Sequence, residues 1–99
     1  MRLVFKWNKN KAKRNLKKHK VGFEEARTIF GDPLLVTFSD EEHSEIEDRS
    51  ISIGLSTNRR LLLVVHTDQE VEETVIEIRI ISARKATPLE RRTYEESEN

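Results

Sequence analysis

The sequence has no cysteine among its 99 residues. That excludes disulfides, thiolate metal sites and cysteine nucleophiles, and it fits a reducing compartment. Glycine (three) and proline (two) are scarce. Glycine-rich phosphate loops, serine-hydrolase elbows and paired-carboxylate signatures are all missing. No run of roughly 18 apolar residues occurs, which excludes a membrane-spanning helix. Charge interrupts Met1–Trp7 too early for a signal peptide, so the expected location is cytoplasmic. Net charge is missing as well, with 18 basic against 18 acidic side chains.

The length supplies one domain, 1–99, with residues 95–99 expected as a frayed acidic tail. A domain of this size buries only about two-thirds of its unfolded surface. A shallow site on a sheet is therefore expected rather than a deep pocket.

The neutral average hides segregation along the chain. Residues 1–20 hold nine lysines and arginines and no acid, whereas residues 40–48 and 68–77 are acidic. Such blocks create local potential on a neutral protein and offer an anion a docking surface; solvated helix faces give the same pattern.

Asn8 reads as an N-cap for a helix over 9–19 with a thin seam of Ala12, Leu16 and His19. Gly22 suits a helix end that needs a positive φ. A second short helix over 23–30 places Phe23, Ala26, Ile29 and Phe30 at helical spacing. Four strands follow: 34–38, 49–56, 61–65 and 75–82. Leu61–Val65 is apolar on both faces, as a covered central strand requires. Residues 67–74 read as an acidic hairpin loop. Thr87, Pro88 and Glu90 make a capping box that starts a helix over 88–96. The order helix, helix, four strands, helix predicts an α+β domain with a four-stranded antiparallel sheet.

His19, His43 and His66 are 24 and 23 residues apart, without metal-ligand spacing. No metal and no cofactor is expected. His66 has two readings: a strand-end side chain capped by a backbone carbonyl, or a general acid or base near neutral pH. Ser82-Ala83-Arg84-Lys85 stands before a helix start, Arg79 lies upstream on the same strand, and Arg59-Arg60 opens the central strand. Arginine forks, a lysine and backbone donors are what phosphate binding needs; pairing with the numerous acids is the other reading. Chemistry built from these residues suits RNA, which carries its own nucleophile, the 2′-hydroxyl.

In order and spacing these residues resemble the BrnT toxin family. Phe5-Lys6-Trp7-Asn8, Asn15-Leu16, His19, Val21 and Phe23-Glu24-Glu25-Ala26 match its opening. Phe30, Asp32-Pro33, His43-Ser44-Glu45, Asp48-Arg49, Ile51 and Ile53-Gly54 continue the match. Leu63-Val64-Val65-His66-Thr67, Ile78 to Thr87, Glu90-Arg91 and Tyr94-Glu95 complete it.

The resemblance implies a RelE-like fold, with two N-terminal helices, the four-stranded antiparallel sheet and a short C-terminal helix. It implies RNA cleavage that slows translation, by an endoribonuclease for which the missing motifs point to metal-free 2′-hydroxyl attack. It also implies a hetero-oligomer with a BrnA-like ribbon-helix-helix antitoxin, and through that antitoxin contact with operator DNA.

Carried onto this chain, the catalytic candidates are Arg84 as phosphate clamp, Lys85 as its support, and His66 and Glu47 (with Asp48) for proton transfer. Arg79, Arg49, Arg60, Trp7, Lys13, Arg14 and Lys17 are the RNA-binding candidates. Many relatives carry Glu-Arg after His-Thr; this chain has Asp68-Gln69 and an acidic segment to Thr74. That departure weakens RNA attraction and leaves an alternative, a binding module with weak or no catalysis that serves as its antitoxin's co-repressor.

Overall fold

The first structured element is a strand that the four read from the sequence do not include. A computed structural model describes residues 1–43 and 48–97. In it β1 (Arg2–Lys6) pairs in parallel with β5 (Val75–Lys85), Phe5 opposite Ile78. The remaining strands, β2 (Val36–Ser39), β3 (Ser50–Leu55) and β4 (Leu61–Glu72), are antiparallel to their neighbours. The sheet order is β1-β5-β4-β3-β2. The four-stranded antiparallel sheet is thus corrected to five strands in a mixed sheet. A short alternating segment does not reveal a partner some seventy residues away.

α1 (Lys9–His19) is capped as read: Asn8 Oδ1 accepts from the Asn10 and Lys11 amides at 2.9 and 3.0 Å. Its end differs. Lys20, not Gly22, takes the left-handed conformation, with φ 60°, and its N–H reaches Leu16 O at 2.9 Å. Gly22 instead precedes α2 (Phe23–Ala26), which tightens into a 3₁₀ turn over Arg27–Gly31. A second 3₁₀ turn covers Glu41–His43. α3 (Pro88–Glu96) starts at the expected capping box and keeps Glu95 and Glu96 helical, so fraying does not begin at residue 95.

The seam of α1 is Asn15 rather than Leu16, which is 53% exposed. β1 ends at Lys6 and leaves the outer edge of β5 uncovered beyond Arg79. Asn15 fills that role for one residue. Its Oδ1 accepts from Ala83 N at 3.1 Å, and its Nδ2 donates to Ala83 O at 2.8 Å and to Val21 O at 2.9 Å. A side-chain amide thus stands in for a strand backbone, which satisfies a buried edge that otherwise costs free energy.

β4 is apolar on both faces, as expected, because apolar side chains pack against Leu61–Val64 from both. Leu62 and Val64 pack under α2 with Val21, Phe23, Ala26, Ile29, Ile78 and Ile80. Leu61 and Leu63 pack with Ile53 and Tyr94 on the other face. Residues 67–74 are not a loop: β4 runs to Glu72, β5 starts at Val75, and Glu73-Thr74 makes the turn. Acidic side chains here stand outside the core while the backbone ladder continues. No helix among the described residues is long and apolar enough to cross a membrane.

Candidate functional site

A bulge in β5 arranges the site. Val65 pairs with Ser82 and His66 with Ile80, so Ile81 is an extra residue. Side chains alternate along a strand, and without that insertion Arg79 and Arg84 would point to opposite faces. With it, Arg79 opposite Thr67, Ser82 opposite Val65 and Arg84 opposite Leu63 all face away from α1 and α2. Ala83, Ile80 and Ile78 turn into the helix-side core. Lys85, opposite Leu62, shares the helix-side face and is exposed; it is not beside Arg84.

The open face holds a cleft of about 410 Å³. Ile51, Leu63 and Val65 form its floor, and Arg49, Ser82 and Arg84 reach it. Asp40, Glu42 and Glu90 also line it. Arg84 meets Glu90 fork to fork, Nη1 to Oε1 at 2.7 Å and Nη2 to Oε2 at 2.8 Å. The Arg84 hydrogen bonds and the Thr87 amide hold the Glu90 carboxyl below the usual range despite partial burial. Glu90 in return raises Arg84. Glu90 Oε1 also accepts from Thr87 N at 2.9 Å, so one carboxylate caps α3 and holds the arginine.

Arg79 stands in an adjoining cavity of about 290 Å³ with Lys6, Asp48, Thr67 and Glu77. Lys6 Nζ lies 2.8 Å from Glu77. A third hollow of about 320 Å³ lies between α1 and β5, lined by Lys11, Arg14, Lys18, His19, Ile81 and Ser82.

His66 belongs elsewhere. It is 1% exposed, inside β4 rather than at its end, and no carbonyl caps it. Its Nδ1 lies 2.6 Å from Asp68 Oδ1, its Nε2 2.7 Å from Ser52 Oγ, and Ser52 Oγ 2.7 Å from Thr37 Oγ1. A carboxylate only accepts, so Nδ1 donates to Asp68, while Nε2 shares a hydrogen bond with the Ser52 hydroxyl. Phe30 closes the ring edge-on at 5.0 Å. The relay sits on the helix-side face, with the sheet between it and Arg84.

Two further candidates, Arg60 and Trp7, lie apart from the cleft. Arg60 donates from Nε to Glu25 Oε2 at 2.9 Å, from Nη2 to Glu25 Oε1, and from Nη2 to Lys20 O at 3.0 Å. It ties the β3–β4 turn to α2. Trp7 packs edge-on against Phe23 at 6.0 Å beside the helix-side core. Lys13 and Lys17 are exposed but do not line the α1 hollow, whereas Arg14 does. Glu47 lies outside the described residues.

Three contributors escaped sequence reasoning: Glu90 as the partner of Arg84, Asn15, and the pair Asp32–Tyr94. Tyr94 Oη donates to Asp32 Oδ2 at 2.6 Å and pins α3 to the turn that follows Arg27–Gly31. Only Glu90 had a signal, its place at N3 of the capping box six residues after Arg84.

Fold and site together define a small α+β domain with an arginine-bearing sheet surface. The family model for the ribonuclease toxin BrnT of type II toxin–antitoxin systems matches residues 7–90, and the chain belongs to that family. The crystal structure of the Brucella abortus ribonuclease toxin BrnT is similar in fold, with a TM-score of 0.61 at 19% identity. That match covers 88% of this chain and 99% of the other. No curated protein matches the chain in sequence.

Proposed function

We propose that the protein is a metal-independent endoribonuclease toxin whose site is the open-face cleft, with Arg84 as the phosphate clamp. The observation that carries this reading is the bulge at Ile81. It turns Arg79, Ser82 and Arg84 to one face, where Arg49 also reaches. The substrate's 2′-oxygen attacks the adjacent phosphorus, forming one P–O bond while the bond to the 5′-oxygen breaks. The 2′-proton leaves to a base, and the 5′-oxygen receives a proton. Arg84 and Arg49 stabilise the charge that develops on the phosphoryl oxygens, the term that dominates such catalysis.

Proton transfer is assigned to the acidic pair Glu47 and Asp48, of which Asp48 lines the cavity beside Arg79. His66 and Lys85, on the other face, are left out of the chemistry. The toxin acts in the cytoplasm, slows translation by cleaving RNA, and is neutralised in a hetero-oligomer by a BrnA-like ribbon-helix-helix antitoxin that carries it to operator DNA.

One observation favours the second reading, a co-repressor without strong catalysis: Glu90 already fills the Arg84 fork. The test is cleavage of a defined RNA by purified protein, with and without EDTA, beside Arg84→Ala. Cleavage that survives EDTA and falls by about 10²–10³ in the variant supports the ribonuclease. Absence of cleavage by both proteins, with and without ribosomes, supports the co-repressor.

A further inference from the structure

The cleft is a poor trap for a polyanion. Two cations reach it, Arg49 and Arg84, against three carboxylates, Asp40, Glu42 and Glu90. The adjoining cavity has Lys6 and Arg79 against Asp48, Asp68 and Glu77. Affinity for a nucleic acid strand, which comes mainly from neutralised phosphates, has to be supplied from outside both.

α1 is placed to supply it. It carries six lysines and arginines and no acid. None of the six forms an ion pair with a described residue, whereas Lys6, Arg27, Arg60 and Arg84 all do. Lys9 and Lys11 stand at the positive end of the helix dipole, where acids are favoured. The fold thus retains a concentrated positive field at some cost to helix stability.

The helical face sorts these cations. Lys11, Arg14 and Lys18 recur at intervals of three and four, line the 320 Å³ hollow against β5, and span about 10 Å along the axis. Ile81 and Ser82, the bulge and its neighbour, line both this hollow and the cleft, so the two adjoin at that point of β5. Lys13 and Lys17 lie on another face of the helix and line neither.

We infer that the α1–β5 groove binds the single-stranded RNA flank that leads away from the scissile phosphate. Its phosphates lie against Lys11, Arg14 and Lys18, and Ser82 marks the passage into the cleft. The inference rests on the ribonuclease reading above. Internal attack sets the 2′-oxygen in line with the leaving 5′-oxygen, a geometry that an A-form duplex does not hold. The strand that enters is therefore single.

The test compares the wild type, the triple variant Lys11→Gln, Arg14→Gln and Lys18→Gln, and the control Arg91→Gln with Arg92→Gln on α3. All five side chains are exposed, and glutamine keeps helix propensity. Binding of a labelled 2′-O-methyl RNA of about 12 nucleotides is measured by anisotropy over a range of salt; blocked 2′-oxygens prevent cleavage. The log–log salt slope is expected to fall by about 2 in the triple variant, from about 0.7 for each of three phosphate contacts, and to change little in the control. With a cleavable RNA of the same length KM rises at least tenfold at unchanged kcat, while a trinucleotide is cleaved equally by all three proteins. Equal effects of the triple and the control, or an unchanged slope in the triple, overturn the groove. A wild type that binds duplex DNA more tightly than single-stranded RNA overturns it too. If the wild type cleaves no RNA, the ribonuclease reading falls and the binding series alone decides the groove.

Discussion

Arg84 and Glu90 meet fork to fork across the mouth of the cleft, at 2.7 and 2.8 Å. A phosphate presents its oxygens to arginine in the same bidentate way. Glu90 is therefore an internal competitor for the group that Arg84 has to bind, fixed there by the first turn of α3.

Glu90→Gln separates competition from support. Glutamine at N3 still completes a capping box, so the helix start survives while the charge goes. The pair is partly exposed and contributes about 1 kcal/mol or less. Removing it is expected to tighten RNA binding up to about fivefold and to lower the thermal midpoint by no more than about 4–8 °C. Weaker binding in this variant would make Glu90 a positioning residue for Arg84.

Asn15→Ala tests the side chain that stands in for a strand. The substitution strips partners from Val21 O, Ala83 O and Ala83 N, around an Ala83 that is 1% exposed. Buried groups left without partners cost about 1–3 kcal/mol each, and partial relaxation brings the expected loss to about 2–4 kcal/mol. Urea unfolding should show a lower midpoint at unchanged slope, with faster amide exchange at Ala83.

Acid should weaken the fold through three carboxylates. Hydrogen bonding to Arg60 leads in lowering Glu25, joined by Ser56 and outweighing burial. At Asp32 burial pushes upward, but Tyr94 and the Leu55 and Leu34 amides outweigh it. Glu90 is lowered by Arg84. Each folded-state value lies below the unfolded one, so its stabilisation is complete above the ordinary values of 4.5 and 3.8 and is lost as pH falls through the folded values. Stability is expected to be flat from neutrality to about pH 5 and to decline from about pH 4.5 downwards. Urea midpoints measured across that range check it, and Glu25→Gln should make the decline shallower.

Local patterns were legible in the sequence and pairings were not. Asn8, Thr87, Pro88 and Glu90 announced the starts of α1 and α3 because capping is a local bond. Leu61–Val65 announced a covered strand because its period is local too. β1 was missed because parallel pairing joins Arg2–Lys6 to residues 75–79, and nothing in five residues names that partner. Trp7, Arg60 and His66 are site candidates through the family resemblance, while their residue types alone leave packing and pairing readings open. Their places are decided by Phe23, by Glu25, and by Ser52 with Asp68, all far along the chain or across the sheet. Arg79 and Arg84 were proposed together, yet only the extra residue at Ile81, invisible in alternation, puts them on one face.

Gly54→Ala measures how closely the 3₁₀ turn approaches β3. In a strand alanine usually gains about 0.5–1 kcal/mol over glycine by reducing unfolded-state freedom. Gly54 is buried, and a methyl group there would lie 2.8 Å from Leu35 Cδ1, 3.0 Å from Ile29 Cβ and 3.2 Å from Ile29 O. The Leu35 terminus can rotate away. Ile29 cannot, since it is fully buried in the helix-side core and its carbonyl accepts from Asp32 N at 2.9 Å. Overpacking of this kind costs about 1–3 kcal/mol, so the clash outweighs the entropic gain and the net change is a loss of about 1–2 kcal/mol. The thermal midpoint should fall by roughly 4–8 °C for each kcal/mol in a domain of this size. A midpoint that rises would mean that the Arg27–Gly31 turn yields to the methyl group.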